Sequence, residues 1–221
     1  MKFISSEFGQ AVQLFVMEEV RPQMPVYPLD FWTAISSRYR FASGPSDVLE
    51  SLKSGAKFNV GQAVIRGRHI NITELGIYND GMIVNAHHTE EADAVMTDFI
   101  TWVIKDFGFR EPQTQIPRRF ASNIIVEFDD SLDFMIKGFS KIGRSASENI
   151  KVYGLNVNLH VTRISFGIDP SSTPAGVNTS LFIEPRANRP FSEHRYYCGG
   201  PLTTDGLAAW LQAFESASLS G

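Results

Sequence analysis

The acid–base chemistry available near neutral pH rests on five histidines. Two of them open triplets of the form His-x-Thr, His87-His88-Thr89 and His160-Val161-Thr162. One imidazole acting as base and another as acid would suit phosphoester cleavage, which makes His87, His88 and His160 the candidate catalytic residues. His87 and His88 are adjacent, so on a strand they point to opposite faces and cannot share one ion. Carboxylates gather at Glu127, Asp129 and Asp130, with Asp133 close behind. Acids at a strand end can hold Mg²⁺, but these also stand where a helix N-terminus attracts caps and anions. Capping needs no further assumption, so no metal is expected, and Glu127, Asp129 and Asp130 are kept as the weak metal alternative. The run from Arg186 to Arg195 sets Arg186, Arg189, His194 and Arg195 in one polar loop. Guanidinium forks recognise phosphate or carboxylate, while a solvated loop with internal ion pairs is the plainer account. Cys198 stands alone, so it closes no intrachain disulfide and completes no cysteine zinc site.

The two His-x-Thr triplets resemble those of two-histidine phosphoesterases, in which opposed strands carry one imidazole each. The resemblance covers six residues and implies a hydrolase acting on a phosphoester. It asks for equivalent positions, and these are not equivalent. The first triplet lies between the last strand and last helix of its half; the second follows the first helix of its half. The expectation is therefore that neither His87 nor His88 pairs with His160. A Gly-x-Ser-x-Gly elbow, a Gly-rich phosphate loop and a dinucleotide fingerprint are all missing from the sequence.

These side chains need elements to position them. The chain has 221 residues, 43% hydrophobic and 20% charged, which is ordinary globular usage and long enough for a sizeable core. Seventeen phenylalanines against three tryptophans read as core filling. A formal charge of -4 sets nucleic acid aside as the expected partner. Apolar runs are too short to span a bilayer, and residues 1–20 do not read as a secretory leader, so the expected location is cytoplasmic.

The pattern predicts a strand over 11–20, a helix over 29–40 on Leu29, Trp32, Ile35 and Tyr39, and a helical turn near 47–53. Strands over 58–65 and 70–79 follow. Asn79-Asp80-Gly81 then predicts a hairpin with a type I′ turn. Thr89 is the expected cap of a helix bearing Ala92, Val95, Met96, Phe99, Val103 and Phe107 and stopping at Gly108. After 109–119 the order recurs: a strand over 120–128, and a helix capped by Asp130 with Leu132, Met135, Ile136, Phe139 and Ile142 on one face. A long strand over 155–168, a turn-rich loop over 169–177, strands near 179–184 and 194–198, and a helix from Thr203 or Thr204 complete it.

The expected fold is α+β, mostly antiparallel sheets covered by amphipathic helices, arranged as two lobes that each read strand–helix–three strands–helix. The lobes are 1–110 and 120–221, with 111–119 as linker and close packing expected. The expected function is a non-enzymatic binding or assembly protein, self-associating through sheet edges or helix faces, with the strand at 180–183 or the neighbouring Phe191 and Tyr196 surface as the contact, a protein or a second copy as partner, no membrane and no cofactor. The alternatives are a phosphoester-directed hydrolase using histidines or carboxylates, and a sensor of a small anionic ligand.

Overall fold

The computed structural model describes residues 1–114, 116–136, 138–154, 156–167, 169 and 180–219. It divides into two compact units. The N-terminal unit is Glu7–Ser122 with Leu202–Thr204; the C-terminal unit is Asn123–Pro201 and Asp205–Gly221 with Met1–Ser6.

In the N-terminal unit the elements are β1 (Lys2–Leu14), α1 (Met17–Val20), α2 (Pro28–Arg38), α3 (Val48–Ser54), β2 (Ala56–Ile65), β3 (Arg68–Tyr78), β4 (Gly81–Ala86) and α4 (Thr89–Phe107). Its strands lie in the order β2-β3-β4-β1, each neighbouring pair antiparallel. In the C-terminal unit follow β5 (Arg119–Glu127), α5 (Leu132–Met135), α6 (Phe139–Lys151), β6 (Ile164–Gly167), β7 (Ser180–Pro185), β8 (Arg195–Gly200) and α7 (Thr204–Leu219). Its strands lie in the order β6-β7-β8-β5. Each unit thus places its first strand beside its last, and the α+β class with recurring strand–helix–three strands–helix order holds.

Periodicity explains the helices. Alpha4 buries Ala92, Val95, Met96, Phe99 and Val103 on one stripe and ends at Gly108, whose φ of 67° a side chain would oppose. Those residues join Ala11, Trp32, Ile35, Tyr39, Phe58, Leu75 and Val84 in the core of the N-terminal unit. Asp47 caps α3, its Oδ1 accepting the Leu49 and Glu50 amides at 2.7 and 3.2 Å.

Several expectations are corrected. The first strand covers 2–14, and 17–20 is a helical turn; the polar residues of Lys2–Gln10 hide an alternation that Glu18 and Glu19 then end in favour of a helix start. Leu29 is exposed rather than inward. The hairpin at Asn79-Asp80 forms, with Tyr78 opposite Gly81, but neither Asn79, Asp80 nor Gly81 has a positive φ. Gly81 is there for room: a Cβ would lie 2.7 Å from the Gln13 carbonyl oxygen. Arg66 and Gly67, at φ 50° and 77° between Ile65 and Arg68, make the type I′ turn instead. His88, not Thr89, is the residue before α4. The helix expected from Asp130 begins after Ser131 and is two helices, α5 ending at Met135 and α6 starting at Phe139 after Gly138 at φ 97°, with Ile142 left exposed. Of the strand expected over 155–168 only Ile164–Gly167 is extended and paired. Leu155, Ile168 and 170–179, including most of the expected turn-rich loop, lie outside the described residues. Beta7 pairs with β6 on one side and β8 on the other, so 180–183 is no sheet edge.

Candidate functional site

The segment expected to be a linker forms one wall of a cavity in the N-terminal unit. The inner face of α4 supplies Phe99, Ile100, Val103 and Ile104; α1 gives Met17 and Val20, and α2 gives Phe31. Ile77 and Met82 rise from the sheet, and Phe109 to Arg118 closes the side. The space measures about 600 Å³, within the 300–1,000 Å³ typical of small-molecule sites. Phe31 organises the aromatic part: Phe109 stacks on it at 5.5 Å and Phe107 meets it edge-on at 4.9 Å.

Hydrogen bonds hold this wall in place. The Arg110 amide donates to the Val20 carbonyl at 3.2 Å. Glu19 accepts the Thr114 amide at 2.8 Å and its hydroxyl at 2.6 Å, and these two bonds hold the Glu19 carboxyl below its ordinary range. The Gln13 amide donates to the Ile116 carbonyl at 2.9 Å. Arg118 donates to Gln13 Oε1 at 3.2 Å, to Thr97 Oγ1 at 2.9 Å and to Asp93, which neutralises it. Thr101 donates to its own helix at the Thr97 carbonyl. Gln13, Thr101, Thr114 and Arg118 are thereby each bonded within the chain. Lys105, Arg110 and Glu111 also line the cavity and have no side-chain partner among the described residues.

The histidine candidates fall in different units, His87 and His88 in the N-terminal one and His160 in the C-terminal one. His88 stands half-buried before α4, with His87 exposed next to it. Beside them Thr89 and Thr204 bond reciprocally: the Thr89 amide donates to Thr204 Oγ1 at 3.0 Å, and the Thr204 amide to Thr89 Oγ1 at 2.7 Å. His160 binds Asp133 instead, Nδ1 to Oδ2 at 2.7 Å, while Asp133 Oδ1 accepts the Val161 amide at 2.8 Å. Phe191 stacks on the His160 ring at 4.9 Å. These groups, with Ser131, Ser140, Arg144 and His194, line an open depression of about 450 Å³ in the C-terminal unit. A carboxylate on Nδ1 fixes an imidazole for base chemistry, and the ring has no other hydrogen-bond partner among the described residues.

In the arginine loop, Arg189 and Arg195 are held in ion pairs. Arg195 pairs with Glu127 at 3.1 Å and with Glu193 at 3.6 Å, and Arg189 reaches Glu193 at 3.6 Å. The Arg186 amide donates to the Arg195 carbonyl at 2.9 Å, and His194, at φ 48°, closes the turn with Nδ1 3.3 Å from the Asp129 carbonyl. The metal alternative does not assemble. Glu127 is taken by Arg195, Asp129 lies 3.5 Å from the Met1 amino group, and among the described residues no three His, Cys, Asp or Glu groups come together. Cys198 is buried, which pushes its thiol well above the usual range and makes it inert. No helix among the described residues is long and apolar enough to cross a membrane.

No protein-family model matches the chain, and no curated protein matches it. A solved structure, that of Methanococcus jannaschii TBP, is similar over 100% of this chain and 98% of its own, with 8% identity and a TM-score of 0.42. The expectation of a protein or self partner with nucleic acid set aside is corrected here. A net charge of -4 over the whole chain does not dismiss nucleic acid, because a local basic surface is compatible with it. The strand meant to pair copies is already paired on both sides. At this distance the likeness carries nothing further about what the chain binds.

Proposed function

We propose that this chain is a non-enzymatic binding protein that takes a small, mostly apolar molecule into the N-terminal unit. The observation that carries the reading is the cavity of about 600 Å³ walled by Phe31, Phe99, Val103 and Phe109, whose inner polar groups are already bonded to one another. Such a wall gains by removing apolar surface from water and offers nothing to a polar guest at depth. Among the described residues no histidine or cysteine lines the cavity, and its Lys105 and Glu111 are not bonded to each other. The test is fluorescence titration with N-phenyl-1-naphthylamine, a neutral apolar probe. Saturable one-site binding is expected, and Ile104→Trp, which fills the space from α4, abolishes it while the far-ultraviolet spectrum stays unchanged. Absence of saturable binding to the unmodified protein overturns the reading.

A further inference from the structure

We propose that the cavity selects an apolar molecule with a single terminal carboxylate, a free long-chain acid, through Lys105 and Arg110. The inference rests on the cavity being a ligand site. It starts from an audit of the charges that line it. Arg118 is spent on Asp93, Thr97 and Gln13, and Glu19 is occupied by Thr114. Three charged side chains remain without partners among the described residues: Lys105, Arg110 and Glu111. Both cations are exposed, Lys105 in the last turn of α4 and Arg110 two residues past Gly108, which ends that helix.

Their placement decides the ligand's polarity. The walls are mostly apolar, and Gln13, Thr101, Thr114 and Arg118 are already bonded to other groups of the chain, so a polar group at depth gains little there. A guest must therefore confine its polar atoms to one end, at the solvent side. Among the lining side chains that lack a partner, two cations stand against one acid. A carboxylate meets an ammonium and a guanidinium with charge-assisted hydrogen bonds, whereas a hydroxyl forms only the weaker neutral kind and a quaternary ammonium is repelled. Lys105 also stabilises the C-terminal end of the α4 dipole, a role that needs no ligand and predicts no selectivity.

Displacement of N-phenyl-1-naphthylamine by dodecanoate, 1-dodecanol and dodecyltrimethylammonium separates these possibilities. The three compounds share one chain and differ in the head. Dodecanoate is expected to displace the probe at about one-tenth the concentration of dodecanol, with the ammonium weakest, as one charge-assisted contact implies. The double variant Lys105→Gln and Arg110→Gln is expected to reduce dodecanoate affinity about tenfold and leave dodecanol unchanged. Both positions are exposed, so the fold is retained, and dodecanol binding reports it. Equal displacement by acid and alcohol, or undiminished preference for the acid in the double variant, overturns the selectivity. Failure of the probe itself to bind strikes instead at the cavity as a ligand site.

Discussion

Substituting Gly9 by alanine tests the architecture at its tightest backbone approach. Beta1 runs beside β4 with Gly9 opposite Ala86, and then passes the start of α4. A Cβ on residue 9 would lie 2.3 Å from the His88 carbonyl carbon and 2.4 Å from the Thr89 nitrogen. Carbon atoms rest at about 3.5–4.0 Å, so one backbone must retreat by roughly 1 Å. The neighbours are main chain, and no side-chain rotation relieves them. That retreat takes Thr89 away from Thr204, whose bonds of 2.7 and 3.0 Å are buried. Overpacking costs about 1–3 kcal/mol, and a buried donor left unpaired costs about 1–3 kcal/mol more. A loss of about 2–6 kcal/mol is expected. At about 2–4 °C per kcal/mol for a chain of this size, the melting point falls by about 4–24 °C. Gly67→Ala serves as the control, since nothing lies within 4 Å of its Cβ and only its φ of 77° opposes the change, at about 1–2 kcal/mol. Differential scanning calorimetry reads both. A Gly9→Ala protein melting within about 2 °C of the unmodified one refutes the packing argument.

Two further outcomes follow from local geometry. Gly81→Val is expected to lose about 1–3 kcal/mol through collision with the Gln13 carbonyl; an unchanged urea midpoint would show that β1 yields at no cost. Glu19 is held below its ordinary 4.5 by Thr114, so its contribution is complete above that value and is lost as pH falls through the lower folded pKa. The Thr114 amide should therefore lose hydrogen-exchange protection on acidification below pH 4.5, and Glu19→Gln should lack that step; a protection factor flat with pH in both proteins would rule the tie out.

Fold class was legible because α4 and the strands of the N-terminal unit repeat their apolar residues at the spacings that burial requires. The recurrence of elements was legible for the same reason. Turn chemistry was only half legible. Asp-Gly marked a hairpin, yet the glycine answers to the Gln13 carbonyl from β1, a neighbour nearly seventy residues away in sequence. The start of β1 was hidden because its solvent side carries serine, glutamate and glutamine. The break at Gly138 was hidden because Leu132, Met135, Ile136 and Phe139 keep a helical spacing across it.

The site was the least legible part. Phe31, Phe99 and Val103 look like any core residues, and a cavity is the atoms that are missing between them. The stretch 109–118 has no apolar period, so nothing local shows that Glu19 and Gln13 fasten it. His160 was visible as a candidate, but its partner Asp133 was assigned to capping. Only the fold shows one carboxylate holding both the imidazole and the Val161 amide.

The reciprocal threonine pair bears on kinetics. Thr89 and Thr204 stand 115 positions apart, so the chain must close a long loop before either hydroxyl meets the other's amide, and a closure of that length comes after local structure has formed. A bond made late is absent from the folding transition state and must break on the way back to it. Its strength therefore enters the rate of unfolding and hardly touches the rate of folding. The two hydroxyls act as a latch, lengthening the lifetime of the folded chain far more than they hasten its formation.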